Sequence, residues 1–131
     1  MQTHLFIIDD DLILRLLIIK MLGRLEIAFP KITQCENGKI GLDELKKIAE
    51  TKDPVIVFLD INMPVLDGWG FIDIFEQSNC YGIQDINLFI VSSSTDEEDV
   101  KKAKEYDCVR QFIHKPLDFH TLKQLLKDVS K

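Results

Sequence analysis

The chain has 131 residues, 22 acidic and 16 basic, for a formal net charge of −6 at pH 7. That length fits one domain, able to bury a core without disulfides or metals to hold it. A composition of 46% hydrophobic and 29% charged residues is that of an ordinary soluble globular protein. The acid excess argues against non-specific binding to nucleic acid or to an anionic membrane. Asp outnumbers Glu, 14 to 8. Asp is the poorer helix former, so many of these residues belong at strand ends, turns and helix caps.

The three cysteines, Cys35, Cys80 and Cys108, form no CxxC pair. Neither a zinc knuckle nor a redox motif is supported, and free thiols suit a reducing cytoplasm. The start, Met1-Gln2-Thr3-His4, has no basic n-region, and Asp9, Asp10 and Asp11 interrupt the apolar run that follows. A signal peptide is not expected. No apolar stretch is long enough for a transmembrane helix.

Short β-type runs alternate with helical patterns. Leu5-Phe6-Ile7-Ile8 predicts a strand stopped by Asp9, and a helix follows from about Asp11 with Gly23 as its stop. Lys31-Ile32-Thr33-Gln34-Cys35 predicts a weak second strand closed by the turn signal Asn37-Gly38. The next helix, from about Gly38 to Glu50, carries Ile40, Leu42, Leu45 and Ile48. Pro54 opens the strongest strand, Val55-Ile56-Val57-Phe58-Leu59, which ends at Asp60.

A loop, Asn62-Met63-Pro64, leads to Asp67, placed to cap a helix bearing Phe71, Ile72, Ile74 and Phe75. The fourth strand, Asn87-Leu88-Phe89-Ile90-Val91, runs into Ser92-Ser93-Ser94. Thr95 and Glu98 carry a capping-box signature for the helix that follows. In it, Asp96-Glu97-Glu98-Asp99 is N-terminal charge favoured by the helix dipole, and Lys101, Lys102 and Lys104 continue the solvated side. Val109-Arg110-Gln111-Phe112-Ile113 predicts the fifth strand, followed by Lys115-Pro116. Asp118 is placed to cap the last helix, whose stripe is Phe119, Leu122, Leu125, Leu126 and Val129. His4, His114 and His120 read as ordinary surface or edge residues.

Five β–α units with continuously apolar strands imply an α/β fold. Its parallel sheet is buried on both faces and joined by right-handed crossovers. In such a sheet the site lies outside the carboxyl ends of the strands. The predicted strands end in Asp9 and Asp10, in Asp60, in Ser92 and near Lys115. Crowded carboxylates repel, and a hard divalent cation relieves them. Mg²⁺ prefers oxygen ligands and takes one or two carboxylates while keeping waters. The ammonium and hydroxyl then suit a phosphoryl group. A carboxylate can be the nucleophile in its transfer, with Asp60 as the candidate.

On these residues the chain resembles the receiver domain of two-component response regulators, of the CheY-like type, over Leu5 to Val129. Ile7-Ile8-Asp9-Asp10, with Arg15 following, is similar to the acidic pair that ends strand one. Asp60-Ile61-Asn62-Met63-Pro64-Val65-Leu66-Asp67-Gly68 resembles the phosphoacceptor loop D-x-x-M-P-x-x-D-G. Val91-Ser92-Ser93 resembles the switch segment, and Phe112-Ile113-His114-Lys115-Pro116 the aromatic-x-x-K-P segment.

The resemblance implies a flavodoxin-like (βα)5 doubly wound sandwich of strand order 2-1-3-4-5. Asp60 would accept a phosphoryl group from a histidine kinase or a histidine phosphotransfer protein in a Mg²⁺-dependent reaction. Asp9, Asp10, Asp60 and the Asn62 backbone carbonyl would hold the metal. Ser92 would bond the phosphoryl oxygen and Lys115 would pair with it. Phe112 would be either a rotameric switch or simple core. A cis Lys115-Pro116 bond is implied as well.

The chain departs from the common pattern in three places. The stretch from Ser92 to Lys115 is one residue longer than in the chemotaxis members, no glycine precedes strand five, and Gly41 stands where many members have Ala.

On the first helix, Leu14, Leu17, Ile18 and Met21 predict a core stripe, and Leu12, Leu16 and Ile19 fall opposite. A surface helix normally keeps that side polar. These three residues are expected either to dock the phosphodonor or to be covered by neighbouring helices or a dimer partner.

The expected function is a phosphorylation-dependent signalling switch that acts on a protein target and is not an enzyme beyond its own phosphorylation and slow dephosphorylation. Asn62 and Ser94 would flank the water path of that dephosphorylation. The alternative is a Mg²⁺-dependent phosphohydrolase with an Asp nucleophile; such enzymes commonly place a second Asp where this chain has Asn62. The last helix is expected to end near Val129, leaving Ser130 and Lys131. Residues 1–131 then form one receiver without an output domain, a cytoplasmic monomer or weak dimer that binds neither nucleic acid nor membrane.

Overall fold

The computed structural model describes residues 2–27, 29 and 31–129; Met1, Ser130 and Lys131 lie outside the described residues. Among the described residues, five strands alternate with five helices. They are β1 (His4–Ile8), α1 (Leu12–Arg24), β2 (Lys31–Cys35), α2 (Gly38–Ala49), β3 (Val55–Leu59) and α3 (Gly68–Gln77). After a short left-handed turn (Asn79–Gly82) come β4 (Ile86–Ser92), α4 (Glu97–Ala103), β5 (Val109–His114) and α5 (Phe119–Val129). The strands form one parallel sheet in the order β2-β1-β3-β4-β5. The expected doubly wound (βα)5 architecture is the observed one.

Side chains alternate across a strand, and the two faces of the sheet carry separate cores. Phe6, Ile8, Val57, Leu59, Leu88 and Ile90 pack under α2 and α3, against Leu42, Leu45, Phe71 and Phe75. Leu5, Ile7, Ile56, Phe58, Phe89 and Val91 pack under α1 and α5, against Ile18, Leu22, Leu122 and Leu125. The central strands β1 and β3 are buried along their whole length, whereas the edge strands β2 and β5 are partly open.

Several local expectations are corrected. Gly23 does not stop α1; the helix runs on to Arg24, and the chain turns at Glu26, whose φ is +57°. At Asn37-Gly38 the expectation holds, with β2 closing at Cys35 and α2 starting at Gly38, and Asn37 adds a cap by accepting the N–H of Ile40 (2.9 Å). The cap of α4 is Asp96, one residue after Thr95, and it accepts the N–H of Glu98 (2.9 Å). The expected caps of α3 and α5 form, with Asp67 accepting from Gly70 and Asp118 from Thr121.

His4 is not a surface residue: it is buried at the start of β1, its Nε2 2.9 Å from Asp53 Oδ2. On α1, Leu17 is half exposed at 50%, whereas Ile19 is half-buried and packs against the α1–α5 core. The helix is apolar on nearly every side, so spacing alone could not choose its inward face. The sheet chose Ile18 and Leu22.

Gly41 has a packing reason. A Cβ there would lie 2.6 Å from Ile8 Cδ1 and 3.2 Å from Phe71 Cε2, so the missing methyl lets α2 close on β1.

Candidate functional site

The register of the sheet builds the rim. Ile8 pairs with Leu59, so the residues after them, Asp9 and Asp60, leave the sheet side by side. Each is tied to its neighbour strand: Asp9 N–H donates to Cys35 O and Asp60 N–H to Ile8 O, both at 2.9 Å. On the other side Ser92 pairs with His114, and Lys115 N–H donates to Ser92 O at 2.8 Å. The Lys115–Pro116 bond is cis, as the resemblance implied.

Asp9 and Asp60 are both buried, and Asp10 beside them is exposed. Carboxylate oxygens of all three lie within 4.8 Å of one another. Lys115 reaches in from β5, its Nζ 3.2 Å from Asp9 Oδ2 and 3.5 Å from Asp60 Oδ1. Burial, with Asp9 next in effect, lifts Asp60 to about 6, and Lys115 only partly opposes it. Burial also raises Asp9, against the Asp11 N–H that donates to its Oδ1 at 2.9 Å. Three carboxylates facing one ammonium leave an excess of negative charge in a half-dry pocket. Such a donor set fits a hard divalent cation, whose charge would offset the excess and whose preferred ligands are these oxygens.

The supporting residues have identifiable jobs. Arg15 donates through Nη1 to the Asp9 carbonyl and through Nε to Gln34 Oε1 (3.1 Å), which fixes the end of β1 against β2 without touching the carboxylates. Gly68 N–H donates to Ile61 O (2.8 Å), and a Cβ at Gly68 would lie 2.6 Å from Asp60 O. The Asp67-Gly68 pair therefore does two things: Asp67 caps α3, and Gly68 lets α3 press on the backbone of Asp60. Val65 is 77% exposed with φ +71°, inside a tight turn closed by Leu66 N–H to Pro64 O (2.8 Å). A β-branched residue in that region is strained, and nothing in the sequence pattern marked it.

Ser92 is fully buried, its Oγ accepting the N–H of Ser94 at 3.1 Å. Ser94 Oγ donates to Asp99 Oδ2 at 2.6 Å. Phe112 is half-buried against the α2–α3 core, with the His114 ring edge-on at 5.1 Å. Asn62 is exposed in the loop after Asp60. Of the expected docking residues, Leu12 (54% exposed) and Leu16 (49%) lie on the free side of α1, joined by Ile13 (68%) and Leu17 (50%). Ile13 was missed because nothing in the sequence separated it from the core positions.

A family model described as the response regulator receiver domain matches residues 5–127. The chain belongs to this family. The receiver is 38% identical over 68 residues, 51% of its length, to an uncharacterized response regulatory protein of Vibrio cholerae serotype O1. It is 28% identical over 131 residues, 95% of its length, to hybrid signal transduction histidine kinase E of Dictyostelium discoideum. The receiver spans only 24% and 7% of these two relatives. Among solved structures it is similar to a two component response regulator from Cytophaga hutchinsonii, with a TM-score of 0.84 and 29% identity, covering 98% of this chain and 97% of that one. Receivers are signalling domains of phosphorelays rather than turnover enzymes, so the family sets the phosphohydrolase alternative aside. Among the described residues no helix is long and apolar enough to cross a membrane.

Proposed function

We propose that this receiver takes a phosphoryl group onto Asp60 from a phosphohistidine of a sensor kinase or histidine phosphotransfer protein. An Asp60 carboxylate oxygen attacks phosphorus, the P–N bond breaks, and the freed imidazole nitrogen recovers a proton from solvent. The product is an acyl phosphate on Asp60. Asp9, Asp10, Asp60 and the Asn62 backbone carbonyl would hold Mg²⁺. That ion, when bound, neutralises the carboxylates and draws charge off the phosphoryl oxygens. Lys115 keeps an ammonium at the same place, and Ser92 turns its hydroxyl toward the new phosphoryl group. Phe112 then changes rotamer, and the altered surface changes affinity for a downstream protein.

The observation that carries this proposal is the buried Asp60 carboxylate, within 3.5 Å of Lys115 Nζ and in contact range of Asp9 and Asp10. Asp60 is only 5% exposed, so a donor histidine must press against the rim to reach it. We assign that contact to Leu12, Ile13, Leu16 and Leu17, beside the rim, and remove Ile19, which is packed inward. Residues 1–131 are taken as one receiver unit that acts in the cytoplasm, where its free thiols fit a reducing compartment. Slow loss of the phosphoryl group would pass Asn62 and Ser94.

The test is incubation with Mg²⁺ and a small acyl phosphate, followed by intact mass. One added phosphoryl group, lost in Asp60→Asn and without Mg²⁺, is the expected result. No addition, or addition that survives Asp60→Asn, would refute the proposal.

A further inference from the structure

The loop between β4 and α4 is held by Ser94, which makes four hydrogen bonds. Its N–H donates to Ser92 Oγ (3.1 Å), and its Oγ donates to Asp99 Oδ2 (2.6 Å). Ser94 Oγ also accepts the N–H of Asp96 (3.2 Å), and the Ser94 carbonyl pairs with His114 Nδ1 (3.2 Å). Two of these, to Asp96 and Asp99, stay within the loop and the start of α4 and travel with it, and a third reaches back to Ser92 at the end of β4. The bond to His114 alone, of these four, crosses to β5. A carbonyl only accepts, so the Nδ1 of His114 carries the proton.

His114 stands on a fixed post. It is the register partner of Ser92, and the next residue, Lys115, is bound through its N–H to Ser92 O at 2.8 Å. Two residues back on the same face of β5, Phe112 packs edge-on against the His114 ring, centroids 5.1 Å apart at 62°. One side chain therefore touches both the loop and the aromatic ring.

Ser92 cannot turn its buried hydroxyl toward Asp60 while that oxygen accepts from Ser94 N–H. Turning it releases Ser94, and moving Ser94 strains the bond to His114. We propose that His114 is a latch for the resting state: a positioning residue that ties the β4–α4 loop to β5 and couples loop displacement to the Phe112 ring. This proposal rests on Asp60 being the phosphoacceptor and Ser92 the hydroxyl that answers it. It adds a residue that the common motif leaves open. His114 is exposed, so its loss opens no cavity in the core.

Removing one solvent-exposed hydrogen bond shifts a two-state balance by roughly two- to tenfold. His114→Ala should therefore speed phosphoryl uptake from a small acyl phosphate by about that factor. His114→Phe keeps an aromatic edge for Phe112 but loses the donor, so it should show the same rise if the bond is the latch. His114→Gln, which restores an N–H donor, should fall back toward the parent rate. Uptake is followed by intact mass at fixed Mg²⁺, with amide hydrogen exchange across residues 93–96 measured on the same samples. The latch predicts faster exchange there in the Ala and Phe variants. A merely structural role for His114 would lower the melting temperature without accelerating uptake. Uptake by folded His114→Ala at or below the parent rate overturns the latch while leaving the phosphoacceptor proposal standing. No uptake by the parent chain would overturn both.

Discussion

Asp60→Asn should make the protein more stable when no divalent cation is present. The carboxyl is raised from 3.8 to about 6 by burial and by Asp9. At 1.36 kcal/mol per unit, that is a folded-state penalty of about 3 kcal/mol at pH 8. Asn keeps the shape and removes the charge, and Lys115 retains Asp9 at 3.2 Å as its partner. The expected gain in EDTA is therefore about 2–3 kcal/mol, or roughly 8 °C in melting temperature for a domain of this size.

The pH dependence has a definite sign. A raised folded-state value means that the folded chain holds the proton more tightly than the unfolded chain. The parent is therefore relieved below pH 4 and penalised as pH rises through about 6. The gap between variant and parent should be full at pH 8 and about half as large at pH 5. Adding Mg²⁺ at pH 8 should stabilise the parent and narrow the gap. Urea unfolding followed by the fluorescence of Trp69, the single tryptophan, stacked on Tyr106 at the start of α3, reads this directly. A variant no more stable than the parent in EDTA, or a gap equal at pH 5 and pH 8, would refute the electrostatic account of the pocket.

Leu16→Glu combined with Leu17→Lys should slow phosphotransfer from a phosphohistidine protein at least about tenfold, the loss of a small apolar contact. Uptake from a small acyl phosphate should not change; equal rates from the protein donor in a folded variant would remove α1 from the docking surface. Gly68→Ala places a methyl 2.6 Å from Asp60 O and 2.7 Å from Ile61 Cα, both backbone atoms. It should cost about 2 kcal/mol in urea unfolding and impair phosphoryl uptake. Gly23→Ala, with nothing within 4 Å, should stabilise α1 by about 0.5–1 kcal/mol. Alkylation of the native chain at pH 8, mapped by peptide mass, should reach half-buried Cys80 first. Cys35 is buried and pushed up to about 12, and Cys108 is buried and raised further. Early labelling of Cys35 would show that the β2 end opens.

Much of the fold was legible because local chemistry and global arrangement agree. Five apolar runs punctuated by Asp, Ser and Pro marked the strands, and Asp67 and Asp118 marked helix starts by a hydrogen bond that they make with their own neighbours. The strand-end residues Asp9, Asp60, Ser92 and Lys115 were readable for the same reason: a parallel sheet puts the ends of its strands on one rim. Where the chain was apolar on all sides, as along α1, periodicity carried no direction. Only contact with the sheet selected Ile18 and Leu22 for the core and left Leu12, Ile13, Leu16 and Leu17 outside.

Distances across the sheet depend on register, which one strand does not encode alone. Burial in the rim lifts the proton affinity of Asp60, and Ile8 opposite Leu59 adds to it by crowding Asp9 against Asp60. Likewise, Ser92 opposite His114 sets an unremarkable histidine against a loop carbonyl. The sequence by itself determined which groups the site contains, because their types and order lie along the chain. The tertiary structure decided how strongly those groups act on one another, because energies between charges and hydrogen-bonding partners depend on separations that only the packed sheet sets.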